Sequence, residues 1–148
     1  MKKKLLIGHF VSLIIGGLIY VSFRSKSLVM FKWFALLSVE TQIGQLRELT
    51  LIFKDSLPEW FIFSLPDGLW IFSYCSLILL IWGNKITMPN FLWFFLIPVV
   101  AISSECGQLL GIFPGTFDVA DLTFYIVGTF TPLLFYIKNQ LTLKKKTV

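Results

Sequence analysis

The sequence predicts an all-α, polytopic membrane protein with about four transmembrane helices. Three observations carry that expectation. Of 148 residues, 56% are hydrophobic and only 14% are charged, with a mean hydropathy of +0.81. A soluble domain of this size needs a far more polar surface. The apolar residues gather into four runs, each near the roughly 20 residues that carry a helix across about 30 Å of hydrocarbon. No run alternates polar and apolar side chains as barrel strands do, which leaves helices to satisfy the backbone in lipid. A single membrane domain over residues 1–148 is expected, with spans at about 5–23, 66–83, 91–110 and 119–137.

The first span is interrupted only by His9 and small polar groups. It has the basic start of a signal peptide, but its apolar stretch is long and "YVSFRSKS" offers no A-x-A-like site, so an uncleaved signal anchor is expected. Gly8, Ser12 and Gly16 recur at every fourth position, a stripe that lets another helix approach closely. Packing within the chain is the expected use, with self-association through the same three residues as the other. His9 reads as a packed or interfacial histidine, since no carboxylate shares its side.

Residues 24–65 form the extracytoplasmic segment. "SLVMFKWFALL" is too short to span and too apolar for a free loop, so it should lie in the interface with Trp33 at headgroup depth. "TQIGQLRELTLIFKD" places Ile43, Leu46, Leu49 or Thr50, and Phe53 at helical spacing, with Arg47, Glu48 and Lys54 elsewhere on the wheel. One or two short helices are expected, in preference to a pair of strands. Pro66-Asp67-Gly68 reads as a turn, with Asp67 capping the helix after it. The second span is short unless it starts near Pro66. Two cysteines and one histidine exclude a cysteine-rich scaffold and argue against a zinc site; Cys75 and Cys106 read as free thiols in apolar surroundings.

Orientation follows from the lysines. An even number of spans puts both termini on one side, and "MKKK", Lys85 and "KNQLTLKKK" fall there together. Cationic flanks stay inside, so both termini are assigned to the cytoplasm of a cell membrane. All of Glu40, Glu48, Asp55, Glu59, Asp67, Glu105, Asp118 and Asp121 then fall at the outer side.

The stretch "SECGQLLGIFPGTFDVAD", residues 104–121, concentrates the chemistry. Glu105 and Gln108 stand three apart, as do Asp118 and Asp121, and each pair projects from neighbouring positions on one helical face. Tyr125 is one turn below Asp121, with Gly128 next on that stripe, and Pro114-Gly115 suits the reversal between the helices. Asp118 fits an N-cap, and Asp121 a first turn where the helix dipole favours negative charge. Glu105 lies about a turn inside an apolar run, where a carboxylate needs a partner; Arg47, Arg24 and Gln108 are its candidates. Glu105, Gln108, Asp118, Asp121, Asp67 and Tyr125 are therefore the candidate ligand-binding residues of a shared acidic cavity at the outer face.

This constellation resembles the VanZ-like membrane proteins, whose signature runs roughly S-E-x-x-Q, a turn with P-G-R, D-x-x-D, then Asn and Gly. Ser104, Glu105 and Gln108 match the first part; Pro114, Gly115, Asp118, Asp121 and Gly128 match the second. Thr116 stands where that family usually has Arg, and Tyr125 replaces Asn. Its upstream Asp-Lys followed by His is only echoed, by Asp67 and Tyr74. The resemblance implies a bacterial cell-envelope setting and a link to glycopeptide (teicoplanin) resistance, but no reaction.

Three functions compete. A non-enzymatic envelope protein would bind membrane lipid, a lipid-linked cell-wall precursor or a glycopeptide at its acidic face. A membrane enzyme acting on envelope lipid or lipid phosphate would use the carboxylates as acid/base groups or as ligands for a hard divalent cation, although three carboxylates without histidine are a weak metal signal. A transporter would need polar groups deep in several spans, which are nearly pure hydrocarbon. With no nucleophile–base pair in the pattern, binding is favoured over catalysis. No cofactor, resident metal or nucleic-acid partner is expected. The topology has a direct test: a reporter fused after Val148 should behave as cytoplasmic and one inserted near Lys54 as external, and any other pattern contradicts the outer placement of the acids.

Overall fold

In the computed structural model of the chain, which describes the backbone of residues 2–146 and the side chains of residues 2–137, every regular element is helical. The order is α1 (Lys2–Phe23), α2 (Val29–Leu36), α3 (Glu40–Leu51), a 3₁₀ turn (Lys54–Ser56), α4 (Glu59–Ile62), α5 (Ser64–Ile81), α6 (Met88–Leu109) and α7 (Val119–Lys146). Four stretches, Lys2–Phe23, Glu59–Ile81, Met88–Leu109 and Val119–Ile137, are long and apolar enough to cross a membrane. The chain is an all-α polytopic membrane protein. The lysines at 138 and 144–146, counted above for orientation, lie outside the described side chains.

The ends of the helices are written in local chemistry. Thr87 and Asn90 form a reciprocal capping box at the start of α6, with Pro89 in its first turn. Gly83, Gly111 and Ser38 each take positive φ just past a helix. In each case two amides turn back onto the last turn: Asn84 to Leu79 and Gly83 to Leu80, Ile112 to Gly107 and Gly111 to Gln108, Val39 to Phe34 and Ser38 to Ala35. This is the Schellman arrangement, which satisfies carbonyls that would otherwise face lipid or interface unpaired.

Helix α5 is the hub and packs against α1, α4, α6 and α7. It supplies most of the core, including Ile71, Cys75, Ile78 and Leu79, to which α1 adds Leu5 and α6 adds Phe94. Small residues govern both of its main contacts. On α1, Gly8 faces the Phe72 ring and Gly16 faces Trp70 and the Pro66 carbonyl, with Ser12 buried between them. The small-residue stripe thus serves packing within the chain. On α7, Gly128 sits against the Gly68 carbonyl, and a methyl added there would overlap that oxygen. Gly68 in turn abuts Phe124, whose Cβ would lie 2.8 Å from an added methyl.

Polar side chains add fastening where prolines free backbone groups. Pro98 cannot donate to the Phe94 carbonyl, and the Cys75 thiol points at that oxygen, 3.8 Å away. Tyr74 donates to the neighbouring Trp93 carbonyl. Between α1 and α5, His9 Nδ1 lies 2.7 Å from Ser73 Oγ, which makes His9 a packed histidine. Cys75 is buried, Cys106 is exposed, and both are free thiols.

Two sequence expectations are corrected. Pro66-Asp67-Gly68 is not a turn but lies inside α5, so Asp67 occupies its first turn and caps nothing. Pro66 is tolerated because the first turn needs no amide, and its missing N–H explains why α4 and α5 break near Ile62 and Phe63. Gly68 serves helix contact, not chain reversal. In α3 the expected apolar stripe packs only in part: Ile43, Leu46 and Thr50 are half-buried, Leu49 is 70% and Phe53, beyond the helix, 60% exposed, while Arg47 is 6% exposed and is the fully buried residue of that helix. The guanidinium reaches α1, where Nη1 donates to the Val21 carbonyl at 2.5 Å, and burial lowers its pKa. The short helices expected over 24–65 are present as α2, α3 and α4.

The glycine crossing yields a prediction. Gly128→Ala should destabilise the detergent-solubilised protein by about 1–3 kcal/mol, the usual cost of overpacking, seen as a lower thermal midpoint. Gly17→Ala, at a position where an added methyl meets nothing within 4 Å, should leave the midpoint unchanged or slightly raised.

Candidate functional site

The hairpin joining α6 to α7 brings the predicted residues together by folding tightly. Gly107 has room for no side chain because the Phe113 ring lies over it, and Gly115, at φ +136°, lies against the Gln108 amide. Gln108 is thereby held in the hairpin, and its amide does not bond Glu105. Asp118 starts α7 as expected: Oδ1 accepts from the Ala120 amide at 2.7 Å. Its own amide donates to Glu105 Oε2 at 3.3 Å, which ties the end of α6 to the start of α7. Glu105 is only 4% exposed. Its partner is thus a helix-start amide rather than Arg24, Arg47 or Gln108, and the positive end of the α7 dipole lies beside it.

Asp67 enters the same neighbourhood from the first turn of α5. Asp67, Glu105 and Asp121 lie within Coulombic reach of one another, and Tyr125 lies within reach of all three. Asp121 Oδ1 is buried and has no hydrogen-bond partner. Asp118 is the outlying member, turned outward and engaged in its cap.

The cation of the cluster is Arg24, just past the end of α1. Its Nη2 is 3.9 Å from Asp67 Oδ2 and donates to the Phe63 carbonyl at 3.3 Å. The guanidinium lies between two rings, 5.1 Å from the centroid of Tyr20 and 4.8 Å from that of Phe63. Phe63 is the residue that separates α4 from α5. Arg24 was foreseen only as a partner for Glu105, although Tyr20 one helical turn before it is the pattern of a stacked arginine. Trp60, stacked on Phe124 at 5.8 Å, was not foreseen at all; no spacing rule links residues so far apart in sequence.

Among the described residues no group of three His, Cys, Asp or Glu side chains is disposed to hold a metal ion. Two clefts are delineated among them, one between α2 and α3 and one between α1, α5 and α7, and Asp67, Glu105, Asp118 and Asp121 line neither. The predicted residues thus form a cluster of three carboxylates, one phenol and one guanidinium. Ionised carboxylates only accept hydrogen bonds, so a group that engages Asp121 Oδ1 must bring a donor. No family model, curated protein or solved structure matches the chain.

Arg24 should be the member whose loss is felt first. Arg24→Gln leaves Asp67 with no cation and should lower the thermal midpoint. Adding Asp67→Asn in the same chain should recover part of the loss, with a coupling of roughly 0.5–3 kcal/mol. Additive losses in the double variant would show that the two side chains act separately.

Proposed function

We propose that this chain is a VanZ-like integral membrane protein of the bacterial cell envelope. In this reading both termini are cytoplasmic and the acidic cluster faces outward. There it binds a donor-rich group of an envelope lipid, a lipid-linked cell-wall precursor or a glycopeptide. The observation that carries the proposal is the buried, unpartnered Asp121 Oδ1, held within reach of Asp67, Glu105 and Tyr125. A buried acceptor left without a partner costs about 1–3 kcal/mol, and a ligand that donates to it recovers that cost on binding. The acceptor-rich character of the cluster selects ammonium, amide or hydroxyl groups. The one-sided distribution of the eight acidic residues supports an outward-facing binding role. Binding is preferred to catalysis because the residues supply no nucleophile poised against a base.

The test compares two lipids that carry the same phosphate. Native mass spectrometry of the purified chain should show preferential retention of phosphatidylethanolamine, whose ammonium donates, over phosphatidylcholine, whose quaternary nitrogen does not. Asp121→Asn and Glu105→Gln should abolish that preference without lowering the protein's abundance in the membrane. Retention of both lipids alike by the unmodified chain, or a preference that survives both substitutions, would contradict the reading.

A further inference from the structure

A second polar site lies outside the spans, on the opposite kind of chemistry. Helices α2 and α3 pack together over a cleft of about 250 Å³ lined by Lys26, Phe31, Lys32, Phe34, Glu40 and Arg47, among others. Three cations face one carboxylate, and among the described residues none of the three is within 4.0 Å of an acidic oxygen. Arg47 is nearly fully buried. Its Nη1 is committed to the Val21 carbonyl and its guanidinium lies 5.0 Å from the Phe31 ring centroid, yet its Nε is buried with no hydrogen-bond partner. The cleft lining thus joins a buried guanidinium that still has one unpartnered N–H to two exposed ammonium groups. Phe31 and Phe34 meet edge to face at 5.8 Å and form its apolar wall.

We propose that this cleft binds a phosphate group, that of a membrane-lipid head group. A phosphate offers several strong acceptor oxygens and a charge that two lysines and an arginine match. The cleft is smaller than the roughly 300 Å³ at which pockets for drug-sized ligands begin, which suits a head group and not a whole solute. Its surroundings belong to an interface: it sits where α1 ends, on helices too short to span, with Trp33 on α2 60% exposed. Gly44 of α3 also lines the cleft, and a methyl added there meets nothing within 4 Å. The glycine leaves that part of the lining without a side chain. Free inorganic phosphate shares the recognised chemistry, and the experiment separates the two sources.

The full chain in a non-ionic detergent is titrated with phosphatidylglycerol and read by native mass spectrometry. Two variants are compared with it: Lys26→Gln with Lys32→Gln, which removes charge, and Gly44→Leu, which fills the cleft and leaves the cations in place. Arg47 itself is left intact because it also fastens α3 to α1. At about fivefold per lysine near a lipid surface, the lysine double variant should bind phosphatidylglycerol roughly 25-fold more weakly. Gly44→Leu should weaken binding as well, with its thermal midpoint maintained. Displacement of the lipid by millimolar inorganic phosphate assigns the site to free phosphate, and persistence of the lipid assigns it to the head group. Equal binding by the unmodified chain and both variants, or no binding by any of them, overturns the proposal. The acidic cluster is tested by a preference between two lipids bearing identical phosphates, so the two proposals fail independently.

Discussion

The backbone contact between Gly68 on α5 and Gly128 on α7 is the constraint on which the rest of this structure depends. Within a bilayer, apolar side chains gain nothing by leaving lipid for protein, and helices associate through close packing and polar contacts. The Gly68 carbonyl reaches into the place where a side chain at position 128 would stand. That proximity brings neighbouring residues into register. Asp67 precedes Gly68, while Tyr125 and Asp121 lie one and two turns before Gly128, so the crossing that joins the helices also assembles the acidic cluster. The stripe on α1 repeats the solution on another side of α5, against Phe72, Trp70 and the Pro66 carbonyl.

A bundle built this way can hold carboxylates only where something offsets their charge. Each acid is placed at a helix end. Asp118 caps α7, Glu105 accepts the Asp118 amide, and Asp67 lies in the first turn of α5 opposite Arg24. Asp121, also in a first turn, is the member whose acceptor is left open. The result is a charged end on an otherwise apolar bundle, with Arg24 lying against the rings of Tyr20 and Phe63. Beside it, the α2–α3 segment presents the complementary charge through Lys26, Lys32 and Arg47. An acceptor-rich cluster and a donor-rich cleft on one end of the molecule suit a zwitterionic or polar lipid surface.

Much of this was legible in the residues. Hydropathy located the four spans, the four-residue spacing of Gly8, Ser12 and Gly16 announced a helix contact, and Asp118 stood where a cap belongs. Glu105 was conspicuous because a carboxylate inside an apolar run requires a reason. What misled was chemistry with two uses. Proline and glycine mark turns, but Pro66 is equally at home in a first helical turn, and Gly68 is a contact surface. In α3 the periodicity of Ile43, Leu46 and Leu49 indicated a helix but not its buried face. A long arginine that bonds the Val21 carbonyl outcompetes leucines that can face lipid without penalty. The partnership of Arg24 with Asp67 was hidden because it depends on where α4 breaks.

The most direct test of this account is the distance between the two glycine backbones in a bilayer. In the chain labelled with ¹³C at glycine alone, solid-state NMR correlates carbonyl and α carbons that lie close together. Ten glycines are present, and Gly16–Gly17 is the one sequential pair. The account predicts a further cross-peak between the Gly68 carbonyl carbon and the Gly128 α carbon. A spectrum in which both resonances are assigned and that cross-peak is absent would contradict it.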